Sequence, residues 1–167
     1  MPKKKPVRGV KGNYVGVYFS PGRGADEIVT GFIDRCTETI IAAVYSFTHD
    51  PIRDALIRAH QRGVKIRVLM DNLQAKSKYA EDETLAAAGI PVRVDTVSAA
   101  MHHKFMVGDG KAVLTGSFNW TKNAVEKNAE NFVIVRLKYI IEPFEREFER
   151  IWEENVAGEV IRPADPS

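Results

Sequence analysis

IIAAVYSFTHDPIRDALIRAHQRGVKIRVLM, residues 40–70, holds a strand, a helix and a second strand in immediate succession. Ile40 to Phe47 is almost continuously apolar, the pattern of a strand buried on both faces. Asp50-Pro51 then reads as a helix start, with Asp50 in the N-cap position and Pro51 first in the helix. Ile52, Ala55, Leu56 and Ala59 form an i, i+3, i+4, i+7 stripe, and Gly63 ends the helix. Val64 to Met70 is the returning strand. A helix between two such strands implies a parallel pair joined by a crossover.

The same alternation extends outward. Tyr14 to Phe19 reads as a first strand, stopped by Ser20-Pro21-Gly22, and a helix over Ala25 to Thr37 buries Ile28, Phe32 and Ile33. Beyond Met70, a helix over Tyr79 to Ala88 closes at Gly89, and Pro91 to Val94 forms a short strand. After Ala100 the pattern changes. His102 to Gly108 and Lys111 to Thr115 read as strands joined at Asp109-Gly110, a hairpin signal. Asn131 to Leu137 is a last strand. Ile141, Phe144, Phe148, Ile151 and Trp152 mark a closing amphipathic helix, with Glu142, Glu145, Arg146, Glu149, Arg150 and Glu153 on a solvated face. The expected fold is a single α/β domain, with a mixed, mostly parallel β-sheet and helices on both faces. It spans residues 13–157, between a basic arm at 1–12 and a flexible tail at 158–167.

Composition narrows the class. The 167 residues are 44% hydrophobic and 28% charged, which supports a packed core and excludes wholesale disorder. No apolar run approaches the ~20 residues needed to span a bilayer. Lys3-Lys4-Lys5 is followed by no signal-peptide core, so the sequence as it stands reads as cytoplasmic; a removed signal would make it periplasmic or secreted. Cys36, the single cysteine, excludes an internal disulfide and Cys-based zinc sites. The net charge is +2, yet Lys3, Lys4, Lys5, Arg8 and Lys11 crowd into the arm and leave the remainder acidic. Such an arm suits a polyanion or is simply a solvated tail.

Chemistry concentrates between His102 and Asn131. Strand alternation puts His102, Lys104 and Met106 on one face and His103, Phe105 and Val107 on the other. The same parity brings Ser117 and Asn119 together after the next strand. An imidazole, an ammonium, a hydroxyl and a carboxamide at one sheet end suit a phosphate group. Adjacent histidines on opposite faces, with a lysine beside one of them, argue against a metal centre. His49, Asp50 and Asp71 follow strand ends and are explained by helix capping. His60 reads as exposed on its helix and Cys36 as buried and inert.

At these residues the sequence resembles the phospholipase D superfamily, and within it the Nuc-type bacterial endonucleases that carry one motif per chain. His102, Lys104 and Asp109 match H-x-K-x4-D; Gly116, Ser117 and Asn119 match the following G-S-x-N. Glu130 and the flanking stretches 46–48, 115–121 and 128–131 extend the likeness over most of residues 14–155. The resemblance implies that His102 attacks phosphorus and forms a phosphohistidine. Lys104 and Asn119 would bind phosphate oxygens, and Ser117 would add a hydrogen bond. Glu130 would accept from the other ring nitrogen of His102, while Asp109 and Gly116 serve structure. It further implies no cofactor, no metal, and a homodimer in which two copies of His102 share one site. The substrate implied is nucleic acid, DNA or RNA, cut with little sequence preference. The alternatives are a phospholipid hydrolase or phosphatidyltransferase, and a silent nucleic-acid-binding module.

Overall fold

The structure is a computed structural model and describes residues 15–160. The basic arm, Tyr14 and the chain beyond Val160 lie outside the described residues. In chain order the elements are β1 (Val15–Ser20), α1 (Ala25–Asp34), β2 (Thr39–Val44), α2 (Asp50–Gln61), β3 (Lys65–Asp71), α3 (Asn72–Ala75) and α4 (Asp82–Ala87). They continue with β4 (Val92–Asp95), β5 (Lys104–Gly108), β6 (Ala112–Gly116), α5 (Lys122–Glu126), β7 (Glu130–Val135) and α6 (Lys138–Glu154).

The α/β domain and its mixed sheet are as the alternation predicts, with strand order β1-β7-β6-β5-β2-β3-β4. The parallel share is smaller than expected. Among the described strands, β2–β3 and β3–β4 are parallel, and the other four pairings are antiparallel. The cause is the placement of β1. The β5–β6 hairpin and β7 occupy the positions between it and β2, so β1 closes the far edge against β7.

Alternation along the strands divides the core between two faces. On one, α1 and α2 supply Val29, Phe32, Ile33, Ile52 and Leu56 against Ala42, Val44, Val68 and Met106. On the other, α6 packs Ile141, Phe148, Ile151 and Trp152 against Ala43, Leu69, Phe105 and Val107. Burial on both faces explains the unbroken apolar run of β2.

Several local expectations are corrected. His49, not Asp50, is the N-cap of α2; Asp50 is its first residue, and its carboxylate accepts from Arg53 instead of a backbone amide. The helix expected from Tyr79 begins only at Asp82, and the short α3 and α5 are additions that the apolar pattern does not announce. His60 is half-buried, with Nδ1 lacking a partner among the described residues, so it is not merely exposed. The charged face of α6 is not wholly solvated. Glu149 takes a forked pair from Arg67, whose guanidinium lies 5.1 Å from the Phe148 ring centroid. The domain also extends past residue 157. Glu159 bridges Arg93, and the Val160 N–H donates to the Val92 carbonyl. Cys36 is buried as expected, and burial, with the Asp109 charge, pushes its thiol up to about 12.

Asp109 and Gly110 make the β5–β6 turn with φ of 53° and 60°. The Asp109 carboxylate accepts from the backbone amides of Thr37, Glu38 and Thr39 at 2.8–3.2 Å, tying the turn to the α1–β2 connection. Burial would raise its pKa, but the amides of Thr39, Thr37 and Glu38 outweigh that and hold it below the usual range. A depressed carboxyl stabilises above its unfolded pKa, and that stabilisation is lost as pH falls through the folded value. Asp109→Ala should therefore cost about 2 kcal/mol at pH 7, measured by denaturant unfolding. The gap to the parent protein should close as the pH is lowered.

Candidate active site

Strand register brings the motif residues to one edge of the sheet. Val44 at the end of β2 pairs with Lys104 at the start of β5, Gly116 at the end of β6 with Phe132, and Ser20 at the end of β1 with Glu130. Asp109 lies at the other end of β5, away from this edge.

His102 stands exposed just ahead of β5. The backbone around it is held on both sides: the Met101 N–H donates to Asp71 Oδ2 at 3.0 Å, and the Tyr45 N–H to the His103 carbonyl at 2.9 Å. Asp71 is 2% exposed, and its Oδ1 caps α3 through the amides of Leu73 and Gln74. It is a cap, as read from the sequence, and also a tether for the histidine segment.

Lys104 folds back on His102. Its Nζ lies 3.1 Å from Nδ1 and donates to the His102 carbonyl at 2.6 Å. The Tyr45 ring packs on the His102 ring, centroids 4.5 Å apart, and sits 5.1 Å from the ammonium. Lys104 is 9% exposed; burial lowers its pKa below the ordinary lysine range, partly opposed by the charge of Glu130. A lysine ammonium only donates, so Nδ1 is the acceptor and a neutral ring carries its proton on Nε2.

Glu130 does not reach His102 within the chain. Its carboxylate accepts from the Ser117 hydroxyl and, at 3.2 Å, from the Asn128 amide, not from His102. Within the chain, Lys104 therefore sets the histidine tautomer. Ser117 directs its proton to Glu130 and accepts from the Asn131 N–H at 3.2 Å. Asn119 Oδ1 accepts from the Ser46 N–H at 3.3 Å, which turns its NH₂ group outward. Here the strand-end stretches 46–48 and 118–121 are stitched together: Trp120 N–H donates to Ser46 and Thr48 N–H to Trp120. Phe118 and Trp120 are buried on the inner side of the same alternation that exposes Ser117. Gly116 admits no side chain, because a Cβ there would collide with the backbone of Asn131 and Phe132 in β7.

His103 faces away, as parity predicts, with Nε2 3.4 Å from Glu147 on α6. Sequence reasoning missed Tyr45 and Gln74, whose Nε2 donates to the Tyr45 hydroxyl at 3.2 Å. The only signal for Tyr45 is its place one residue past a strand end, which acquires meaning once β2 is known to pair with β5. Next to Tyr45 and Asn119 opens a cleft of about 410 Å³. Among the described residues, no group of three or more His, Cys, Asp or Glu side chains is placed to hold a metal ion.

Comparison with known proteins agrees with this geometry. Residues 29–152 match the family described as cardiolipin synthase, PLD-like domain. A mitochondrial cardiolipin hydrolase of Chlamydomonas reinhardtii is 37% identical over 122 residues, covering 73% of this chain and 55% of that protein. A phospholipase D of Rickettsia felis is 37% identical over 130 residues, 78% of this chain and 65% of its own length. The chain thus spans between half and two thirds of these curated relatives. The crystal structure of Nuc from Salmonella typhimurium, a phospholipase D family member, superposes with a TM-score of 0.85 at 31% identity, over 89% of this chain and 99% of that one. With a family match over most of its length and the H-x-K and G-S-x-N residues gathered at one sheet edge, the chain belongs to the phospholipase D superfamily.

Proposed function

We propose that the protein is a metal-independent phosphodiesterase that cleaves nucleic acid, as an endonuclease of low sequence preference, through a phosphohistidine on His102. The observation that carries this reading is the buried Lys104 ammonium in contact with His102, at an edge shared with Asn119. The ammonium and the outward NH₂ of Asn119 supply charge and hydrogen bonds for non-bridging phosphate oxygens. The imidazole supplies the nucleophile. For attack, the lone pair must lie on the nitrogen facing phosphorus. If Nε2 is the attacking nitrogen, the histidine must exchange its Lys104 contact for an acceptor that holds the proton on Nδ1. Phosphate oxygens arriving at Lys104 would draw the ammonium away and drive that exchange.

Attack on phosphorus and protonation of the leaving oxygen need two histidines, and the chain has one motif. A homodimer with two copies of His102 facing one phosphate supplies both. A monodisperse monomer with full activity would contradict it.

A second reading, hydrolysis of a phospholipid, is favoured by the names of the curated relatives, a cardiolipin hydrolase and a phospholipase D. Supporting nucleic acid instead are the likeness to Nuc along 99% of that chain and the polar lining of the cleft. Among the described residues, no helix is long and apolar enough to cross a membrane. The test is direct. Purified protein is incubated with plasmid, single-stranded DNA, RNA and cardiolipin vesicles, each in EDTA. Cleavage of the nucleic acids alone is expected. Vesicle hydrolysis alone selects the second reading, and activity that returns only with added metal removes the phosphohistidine mechanism.

A further inference from the structure

We infer that the cleft beside Asn119 is a nucleoside subsite, which seats the sugar and base attached to the reacting phosphate. The inference rests on the phosphodiesterase reading and assigns that site a ligand class. The cleft is open to solvent and offers about 410 Å³, within the range of sites that hold small organic ligands. Tyr45, Thr48, Gln74, Asn119, Asn123 and Asn128 line it, with Lys122 at the rim paired to Glu126 at 3.9 Å. Among the described residues no carboxylate lines the cleft and Lys122 is its one cation, so its chemistry is hydrogen-bonding, amide-rich and mildly positive.

Internal bonds decide what those amides offer. Asn119 has its oxygen on the Ser46 N–H and presents its NH₂ group as a donor. Gln74 has its nitrogen on the Tyr45 hydroxyl and Asn128 its nitrogen on Glu130, so both present oxygens as acceptors. Asn123 is exposed, and its side chain makes no hydrogen bond among the described residues. The cleft therefore shows fixed donors and acceptors together with one amide that can present either. Base edges and ribose or deoxyribose hydroxyls carry this mixture of groups. An amide that turns over fits either pattern, which accounts for tolerance of base identity. An acyl chain would meet an amide-lined wall and leave those groups unpaired. Asn119 belongs to both the phosphate site and the cleft, so the occupant is the group bonded directly to the reacting phosphate.

The experiment measures binding of inorganic phosphate, glycerol 3-phosphate and thymidine 5′-monophosphate to the full chain by calorimetry. Turnover of bis(4-nitrophenyl) phosphate is followed alongside. The nucleotide should bind about tenfold more tightly than the other two, the gain expected of a few well-placed hydrogen bonds. Asn123→Ala should narrow that gap, and Asn123→Ala with Gln74→Ala should close it. Asn123 lies in α5, where alanine favours the helix, so the single variant keeps the fold. Equal affinity for all three ligands, or a gap that survives the double substitution, overturns the inference. Glycerol 3-phosphate binding as tightly as the nucleotide overturns it too, in favour of a headgroup site. If the nucleotide preference holds and closes as described while bis(4-nitrophenyl) phosphate is not turned over, the subsite stands and the phosphodiesterase reading falls. Normal turnover without a nucleotide preference removes the subsite and leaves the phosphodiesterase reading in place.

Discussion

His102→Ala lowers phosphodiester turnover by about 10⁴-fold or more, the scale on which loss of an attacking group acts, and leaves the fold intact. Both halves of that expectation come from where the side chain sits. The ring is exposed, touches Tyr45 and Lys104, and belongs to neither core cluster. Its removal opens no cavity, so the melting temperature should stay within a few degrees. The neighbouring His103→Ala is the control. His103 lies on the opposite face against Glu147 and Phe105, half-exposed, and its loss costs a surface contact worth under about 1 kcal/mol. Turnover there should stay within about threefold of the parent. The measurement is steady-state cleavage of a fluorogenic oligonucleotide beside thermal unfolding of all three proteins. If His103→Ala proved the damaging change, the assignment of the nucleophile would be off by one residue.

The reason this pair can be separated in the sequence is local. Strand parity needs only the identity of a few consecutive residues, and it places His102 with Lys104 and His103 with Phe105. The Asp109-Gly110 turn is legible for the same reason: two consecutive residues with positive φ announce themselves by type. The β2-α2-β3 unit is legible because its apolar stripe and its closing glycine are both local. What is not legible depends on pairing at long range. Nothing in Tyr14 to Phe19 states that its partner is β7, more than a hundred residues on, and from that omission comes the overestimate of parallel pairing. Tyr45 and Gln74 reach the site only because β2 lies between β5 and β3. Asp71 is recognisable as a cap, but its second oxygen holds Met101 across a loop whose path no periodicity encodes. Glu130 is found through the resemblance, but its contacts within the chain, Ser117 and Asn128, are not announced by it.

Lys104 should give the second large effect, and in two opposite directions. Lys104→Met keeps an unbranched side chain of similar length and removes the charge. Phosphodiester turnover should fall about 10²–10³-fold, as when a preorganised donor to a developing oxyanion is lost. Stability should move the other way as a function of pH. Burial depresses the lysine pKa, with Glu130 only partly opposing it, so the folded protein binds this proton less tightly than the unfolded chain. At neutral pH the ammonium is charged in both states, and the cost of burying it is fully present. Between the lowered folded value and the ordinary lysine value the unfolded chain holds more protons, so the parent protein gains stability as pH rises. The melting temperature of Lys104→Met minus that of the parent should therefore be most positive near pH 7 and decline toward alkaline pH. The activity of the parent should fall across the same window, beginning below the range of an ordinary lysine, because the ammonium that neutralises the phosphate is being lost. The residual activity of Lys104→Met should lack that limb. A parent whose activity holds through the alkaline range, or a stability difference that grows with pH, would show that Lys104 is neither buried at a cost nor needed as a cation.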